Sequence, residues 1–345
     1  MLGSYQLENS CGIPSGSFHF DKLVYYTHNP IISITVTLDI THPMNRILIS
    51  IFFLFFLSFG FAQNGKILSK KLVDITKTPI WDRISQDNEL HSDFEHLKKL
   101  DFYFITYQSD SLKVRGIIVE PKKEGKYPVV IFNRGGNRDF GRLTIGTLII
   151  YTSKLAEQGY VIIGSNYREK DEFGGAEIND ILNLTETVKE IDKADSNCIG
   201  MFGWSRGGMM TYLALQKSDK IKTAIIGNGP TDLFGTISDR PKMESKVISE
   251  CVPNYLENKE SELKKRSVIY WADELDKNSS LLILCGTNDK RVNPEQADKI
   301  ASKLKEIQYD FELRKFETDH YFSDKKAELN VLVIDWFNKR LKNYK

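Results

Sequence analysis

The sequence has 345 residues, of which 41% are hydrophobic and 27% are charged, proportions typical of a folded globular protein with one large domain or two small ones. Its 47 basic and 46 acidic residues leave a formal net charge of +1, so no overall field favours binding to nucleic acid or acidic lipid. A nucleotide-binding enzyme is also disfavoured, because no glycine-rich dinucleotide motif follows the first predicted strand and the sequence contains no phosphate-binding P-loop.

An uncharged apolar stretch at residues 47–62 is the first distinctive segment. It follows a basic start that contains Arg46, and the small residues Gly60 and Ala62 lie at the −3 and −1 positions of a cleavage site. This layout predicts a signal peptide over residues 44–62 and export to the periplasm or out of the cell. The stretch is shorter than the ~20 residues that span a bilayer, so a retained anchor, with membrane contact, is the less favoured interpretation.

The leader before this signal, residues 1–43, contains neither a helical period nor a motif. Because the signal starts at Met44, we expect the leader to be disordered or to reflect a start codon assigned too early. The fold prediction therefore leaves it out.

The elements predicted after the signal begin with a charged extension, residues 63–100, in which a helix is predicted at 87–100. Eight strands follow, predicted at 101–108, 112–120, 127–132, 161–165, 197–202, 221–226, 281–285 and 311–316. Helices are predicted between and after them at 144–158, 177–191, 208–215, 294–307 and 325–341.

A hairpin followed by alternating strands and helices indicates an α/β fold, with a mostly parallel eight-stranded sheet covered by helices on both faces. We expect one domain over residues 101–345. Between the sixth and seventh strands, the polar segment 232–277 is predicted to form a helical insertion. An insertion there would lie over the carboxyl edge of the sheet, where ligands bind in such folds.

A G-x-S-x-G motif, Gly203-Trp204-Ser205-Arg206-Gly207, stands where the fifth strand should turn into a helix. A serine hydroxyl is a good nucleophile only when such a tight turn presents it, and the flanking glycines avoid a Cβ clash with the crossing strand or helix. The bare pattern also fits a glycine-rich turn with an exposed serine. Its strand–turn–helix setting favours a catalytic role for Ser205.

A serine nucleophile requires a base and a carboxylate that orients the base. Asp289 follows the seventh predicted strand and His320 follows the eighth, so the three residues occur in the chain order of this fold's catalytic triads. Asp319 is the rival carboxylate. A sequence neighbour on the same loop seldom points at the imidazole Nδ1, which favours Asp289.

The oxyanion that forms during acyl transfer needs two hydrogen-bond donors. The backbone N–H of Arg206, directly after the nucleophile, is predicted to be one of them. The loop after the third strand contains Gly135 and Gly136, and paired glycines let N–H groups turn toward a ligand. This loop is predicted to supply the second donor, with a flexible turn of no catalytic role as the alternative.

Other polar residues give no indication of a metal or a cofactor, and we predict neither. His91 and His96 lack the H-E-x-x-H spacing of a metalloprotease and are interpreted as solvated helix residues. The acidic residues Glu169, Asp171 and Glu172 are candidates for contact with a cationic substrate, but a solvated loop is the favoured interpretation.

Together these motifs resemble the catalytic domain of the prolyl oligopeptidase family of serine peptidases, within the α/β-hydrolase superfamily. The resemblance runs from about residue 101 to the end. It is carried by residues 203–208, which match the family's G-x-S-x-G-G, by 286–296, which match its G-x-x-D-x-x-V-x-x-x-Q, and by 166–168 and 229–232, which resemble its N-Y-R and the turn after its sixth strand. The resemblance implies Ser205, Asp289 and His320 as the triad.

Two departures from the family pattern limit what the resemblance implies. Arg134-Gly135-Gly136 stands where the family has H-G-G or Y-x-G, so the identity of the second oxyanion donor stays open. Members normally carry a β-propeller domain before the hydrolase, whereas only residues 63–100 separate the signal from the predicted sheet. Dipeptidyl specificity is therefore not carried over.

The sequence thus predicts an exported serine hydrolase that cleaves a small peptide or ester substrate through an acyl-enzyme. A carboxylic or carbohydrate esterase remains as open as a peptidase. A non-catalytic binding protein that keeps the fold is less favoured, because Ser205, Asp289 and His320 are all present. The acyl group, the leaving group and the oligomeric state are not determined by the sequence.

Overall fold

The structure, a computed structural model, describes residues 63–342, and the predicted leader and signal peptide lie outside them. Within the described residues, nine strands form one sheet. They are β1 (Ile67–Leu72), β2 (Leu100–Ser109), β3 (Leu112–Pro121), β4 (Tyr127–Asn133), β5 (Val161–Ser165), β6 (Ala194–Trp204), β7 (Ile221–Gly227), β8 (Ser280–Gly286) and β9 (Phe311–Phe316).

The strand order across the sheet is β1-β2-β3-β5-β4-β6-β7-β8-β9. The pairs β1–β2, β2–β3 and β3–β5 are antiparallel, and every pair from β5 through β9 is parallel. The predicted α/β fold with a mostly parallel sheet is confirmed. All eight predicted strands are present. Because β4, β6, β7, β8 and β9 run parallel, the loops that follow them lie at the same carboxyl edge of the sheet.

The eight-strand prediction was wrong by one strand, because β1 extends the antiparallel side of the sheet. Its sequence, Ile67–Leu72, includes two lysines and a serine, and five of its six residues are exposed. An edge strand that is solvated on both faces lacks the alternating apolar pattern from which strands are predicted. Its pairing with β2 is therefore set by main-chain hydrogen bonds rather than by a buried face.

Helices cover both faces of the sheet. They are α1 (Trp81–Ile84), α2 (Ile145–Glu157), α3 (Ile178–Leu182), α4 (Leu184–Thr187), α5 (Arg206–Lys217), α6 (Leu233–Asp239), α7 (Pro241–Met243), α8 (Ser249–Cys251), α9 (Tyr255–Lys265), α10 (Glu295–Glu306) and α11 (Lys326–Phe337). Helices α2 and α11 pack in one apolar cluster, and α3, α4, α5 and α10 pack in the other. Alternate residues of β6 enter the two clusters, since Met201 joins one and Phe202 joins the other.

The helix predicted at residues 87–100 was wrong in its first half. Ser85–Gln86 and Glu89–Leu90 form a small antiparallel pair, and a 3-10 helix follows at Ser92–Lys99. The turn between the short strands is made by Asp87 and Asn88, which have φ values of 51° and 65°. Aspartate and asparagine tolerate this left-handed conformation, and here the turn overrides the helical pattern.

The segment between β7 and β8 contains α6 to α9, a π-helix at Glu244–Ile248 and 3-10 turns at Val268–Tyr270 and Ala272–Glu274. Its apolar side chains, including Ile248 and Leu263, are buried in the same cluster as α5. The insertion is thus packed on the core of the sheet domain. In residues 63–342, no helix is both long enough and apolar enough to cross a membrane.

Candidate active site

Ser205 lies on a sharp turn between β6 and α5. Its backbone has φ 55° and ψ −126°, a strained conformation for a residue other than glycine, at a cost of ~1–3 kcal/mol. A Cβ on Gly203 would lie 2.2 Å from the carbonyl oxygen of Gly207, so close packing fixes the turn. The amide of Ser205 also donates to the carbonyl of Gly227 in β7 at 2.7 Å. This is the geometry of the predicted nucleophile elbow.

Asp289 and His320 are joined by a hydrogen bond. Nδ1 of His320 lies 2.6 Å from Oδ2 of Asp289, and both side chains are almost fully buried. The other carboxylate oxygen of Asp289 accepts from the amides of Arg291 and Val292 at 2.6 and 3.0 Å. These bonds orient the carboxylate, which in turn orients the imidazole.

The rival carboxylate, Asp319, points elsewhere. It accepts hydrogen bonds from the amides of Tyr321 and Ser323 and from the Ser323 hydroxyl. These contacts stabilise the turn that carries His320. The structure therefore brings Asp289 to the imidazole, as predicted.

Asn228, which the sequence analysis missed, connects the loops that carry the Asp–His pair. Its side-chain amide donates to the carbonyl of His320 at 3.0 Å, and its carbonyl oxygen accepts from the amide of Gly286 at 2.8 Å. Trp204, next to Ser205, donates to the same His320 carbonyl at 3.1 Å. Asn228 follows β7 with a φ of 46°, and a polar residue directly after a parallel strand is the signal that would have identified it.

The glycines of the predicted oxyanion loop lie beside Ser205. A Cβ on Gly135 would lie 3.2 Å from Cβ and 3.8 Å from Oγ of Ser205. Gly136 has a φ of 75°, and a Cβ there would lie 2.1 Å from the carbonyl oxygen of Phe140. Among the described residues, the amides of Gly135 and Gly136 donate no hydrogen bond. Arg206 begins α5, so its N–H has no acceptor within the helix.

Ser205, His320, Gly135 and Gly136 all border one cleft of about 160 Å³. No hydrogen bond joins the Ser205 hydroxyl to His320 among the described residues, although catalytic hydrogen bonds often form only once substrate is bound. Two of the predicted site residues, Asp289 and Arg206, are not among the residues that line the cleft. Asp289 is bonded to His320, and Arg206 directly follows Ser205.

Two interpretations of polar residues near the site were wrong. Asp171 is not solvated: its side chain is 4% exposed and it pairs with the guanidinium of Arg206. Glu172 is also largely buried, whereas Glu169 is exposed as predicted. His96 is buried and its Nε2 lies 2.8 Å from the Ser153 hydroxyl. The partners of Asp171 and His96 are 35 and 57 residues away, which local patterning does not reveal.

Lys326 packs beside the site at the start of α11. Its ammonium donates to the carbonyl of Tyr321 at 2.7 Å and lies 4.3 Å from the ring centroid of Tyr151. Burial lowers the pKa of Lys326 to about 8, although Asp319 opposes the shift. The loop next to His320 is thus held by a cation that is partly removed from water.

We expect the stability of the wild type relative to a Lys326→Met variant to increase as the pH rises from 8 to 10.5. The pKa of Lys326 lies below its ordinary value of 10.5 in the folded chain, so the unfolded chain binds more protons over this range and the folded state gains stability. Allowing for solvent access, the gain in the free energy of unfolding is about 1–2 kcal/mol. Denaturant unfolding at pH 7 and pH 10 measures it.

Lys325→Met is the control for the loss of a neighbouring lysine, whose side chain is 38% exposed and pairs with Glu328. An equal pH dependence in the two variants would contradict the argument from burial.

The described residues contain no group of three or more His, Cys, Asp or Glu side chains that could hold a metal ion.

An elbow serine and a buried Asp–His pair at the carboxyl edge of a mostly parallel sheet define a serine hydrolase of the α/β-hydrolase class. The match to known families is more specific. The chain belongs to the prolyl oligopeptidase family, whose model matches residues 152–344.

Individual relatives agree with this assignment. The uncharacterized peptidase YtmA of Bacillus subtilis is 24% identical over 248 residues, which cover 69% of this chain and 93% of YtmA. Among solved structures, the acylaminoacyl peptidase of Pyrococcus horikoshii matches with a TM-score of 0.63 and 24% sequence identity. The match covers 73% of this chain and 44% of the Pyrococcus chain. Dipeptidyl peptidase 4 of Porphyromonas gingivalis matches with a TM-score of 0.58 and 20% sequence identity. That match covers 69% of this chain and 35% of the Porphyromonas chain.

The likeness to these two solved structures concerns the fold, and the chain spans less than half of their length. Together with the family match, it confirms the predicted α/β-hydrolase fold and the assignment to serine hydrolases.

Proposed function

We propose that this protein is a serine peptidase in which Ser205 is the nucleophile, His320 the general base and Asp289 the residue that orients the base. The observation that carries the proposal is the 2.6 Å bond from His320 to Asp289, at the cleft that Ser205 also borders. Membership of the prolyl oligopeptidase family supports the same roles.

In this mechanism Ser205 Oγ attacks the carbonyl carbon of the scissile bond. Because Nδ1 of His320 donates to Asp289, Nε2 is free to take the hydroxyl proton and then to give it to the leaving amine. The acyl-enzyme is hydrolysed when water attacks in the same way and His320 returns the proton to Ser205. Proton transfer requires Nε2 and Oγ to come within hydrogen-bond reach as substrate binds.

The oxyanion is proposed to bind to the N–H of Arg206 and to an N–H of the Gly135–Gly136 loop. Support comes from the position of Gly135 against Ser205 and from the unpaired amides of the loop. Donors that are held in place before the reaction stabilise the developing charge without reorganisation.

A peptide or other amide bond is the proposed target, rather than the carboxylic or carbohydrate ester that the sequence left equally open. The family and the curated relative YtmA are both described as peptidases. Export through residues 44–62 remains a proposal from the sequence alone.

The cleft lining supports a neutral or acidic acyl group. Arg134, Arg142 and Arg291 border the cleft, and no carboxylate is among its described lining residues. Arg142 pairs with Asp139, but the guanidinium of Arg291 lies over the Tyr321 ring, 5.3 Å from its centroid, without a carboxylate partner in the described chain. A cationic amino terminus next to the scissile bond would be repelled there.

A fluorophosphonate probe and a substrate panel test the proposal. We expect the probe to label one site, which mass mapping of the proteolysed adduct assigns to Ser205. We also expect hydrolysis of acetylated peptide anilides to exceed hydrolysis of the same anilides with free amino termini. Absence of labelling would favour a binding protein that keeps the fold, and hydrolysis of aryl esters without any anilide would favour an esterase.

A further inference from the structure

The side chain of Arg206 is buried directly behind the elbow, and its contacts are not explained by the triad. Its guanidinium forms two hydrogen bonds with Asp171, at 2.6 and 2.8 Å, and one with Glu177 at 2.5 Å. The three side chains are 3%, 4% and 0% exposed. A buried ion network of this kind is costly to form unless every charge is paired, so its position next to the nucleophile calls for an explanation.

The network reaches the oxyanion loop at two points. The same Arg206 nitrogen that bonds Asp171 donates to the carbonyl of Gly136 at 3.1 Å. The Asp171 oxygen that accepts the hydrogen bond from this nitrogen also accepts one from the amide of Arg138, at 2.5 Å. One ion pair therefore holds both a carbonyl and an amide of the loop that contains Gly135.

Neighbouring contacts hold the remaining carbonyls of the loop away from the cleft. The Arg134 carbonyl accepts from the Tyr167 hydroxyl at 3.1 Å, and the Gly135 carbonyl accepts from the Arg134 guanidinium at 3.0 Å. The Tyr167 ring lies near both guanidinium groups, 4.7 Å from that of Arg134 and 5.5 Å from that of Arg206. With these carbonyls bonded, the unpaired groups of the loop beside Ser205 are amides.

Glu177 fixes the other side of the network. Its carboxylate accepts from the amides of Gly174 and Gly175 at 2.5 and 3.2 Å, so it cannot follow Arg206 if the loop moves. Burial opposes the charged form of Arg206, but Glu177 and Asp171 together raise its pKa above the ordinary value. The guanidinium therefore stays charged although it is buried.

We propose that Arg206 and Asp171 are positioning residues that set the orientation of the oxyanion loop, so that its amides point to where the oxyanion forms. This inference rests on the proposed function. It assigns to the side chain of Arg206 a role separate from that of its backbone N–H. Loss of one oxyanion donor lowers kcat by about 10²–10³-fold in serine peptidases, and a misaligned loop is expected to approach the lower value.

The test compares Asp171→Asn with Asp180→Asn. Asp180 is a matched control, since it is also buried and accepts from an arginine, Arg168, and from that residue's amide, yet no hydrogen bond links it to residues 134–138. For Asp171→Asn we expect kcat to fall by about 30–100-fold with KM within about 3-fold. For Asp180→Asn we expect kcat to stay within about 3-fold of the wild type, even if its loss in Tm exceeds that of Asp171→Asn.

A second pair of variants and a second readout keep the test informative if Asp171→Asn does not fold. Arg206→Lys retains the charge but not the forked hydrogen bonds, and is compared with Arg168→Lys. A peptide aldehyde forms a tetrahedral adduct whose oxyanion needs the same donors. Its affinity should fall in parallel with kcat/KM, while the affinity of a non-reactive peptide should not change.

Equal losses of kcat in the matched variants, or a loss confined to KM, would overturn the positioning role. Wild-type activity is measured first. Its absence would refute the proposed function itself, whereas an active wild type with unaffected Asp171→Asn and Arg206→Lys variants would refute only this inference.

Discussion

Replacement of Asp289 by asparagine is expected to lower kcat for a peptide anilide by about 10⁴-fold without unfolding the protein. Oδ2 of Asp289 holds the N–H at Nδ1 of His320 at 2.6 Å. An amide at this position favours the imidazole tautomer with its proton on Nε2, which can no longer accept the proton of Ser205. Steady-state kinetics at the pH optimum of the wild type measures the loss, and KM is expected to change little.

Asp319→Asn is the matched control, because it changes an aspartate directly beside His320. Asp319 bonds only to its own turn, through Tyr321 and Ser323, and asparagine retains one acceptor for those amides. We expect its kcat to stay within about 3-fold of the wild type. A larger loss in Asp319→Asn than in Asp289→Asn would mean that the wrong carboxylate has been assigned to the triad.

The strands of the parallel region were predictable because each is buried on both faces. β5 and β8, for example, are buried along their whole length and appear in the sequence as continuous apolar runs bounded by turns. β1 was not predictable, since only Ile67 in it is even partly buried. The information that places β1 lies in its pairing with β2, which is a long-range property.

The same distinction applies to the site. Ser205, Asp289 and His320 were predicted to form the site because each lies within four residues of the end of a strand, and parallel strands bring their carboxyl ends together. Asp171 was interpreted as part of a solvated loop, together with Glu169 and Glu172. Its partner, Arg206, is 35 positions away, and only the fold shows that the two meet. Charged residues near an elbow are therefore better judged by the opposite charges available to them than by local polarity.

Replacement of Gly207 by alanine is expected to lower the free energy of unfolding by about 3–5 kcal/mol or to prevent folding. A Cβ at this position would lie 1.9 Å from the carbonyl oxygen of Asn133 and 2.9 Å from that of Arg134. Both are backbone atoms at the end of β4, so relief requires α5 to move away from the sheet or the oxyanion loop to shift. Denaturant unfolding measures the change in the free energy of unfolding. The loss of hydrolytic activity, expressed as a free energy, should be at least as large.

Gly146→Ala, in α2, is the control for adding a methyl group to a helical glycine. The nearest atoms there belong to the Ile80 side chain at 3.3 Å, which can give way, and alanine favours the helix. We expect its free energy of unfolding to stay within about 1 kcal/mol of the wild type. If Gly207→Ala were as stable as Gly146→Ala, the close approach of α5 to β4 would be incorrect. The strained backbone of Ser205 would then lack the close packing that holds it in place.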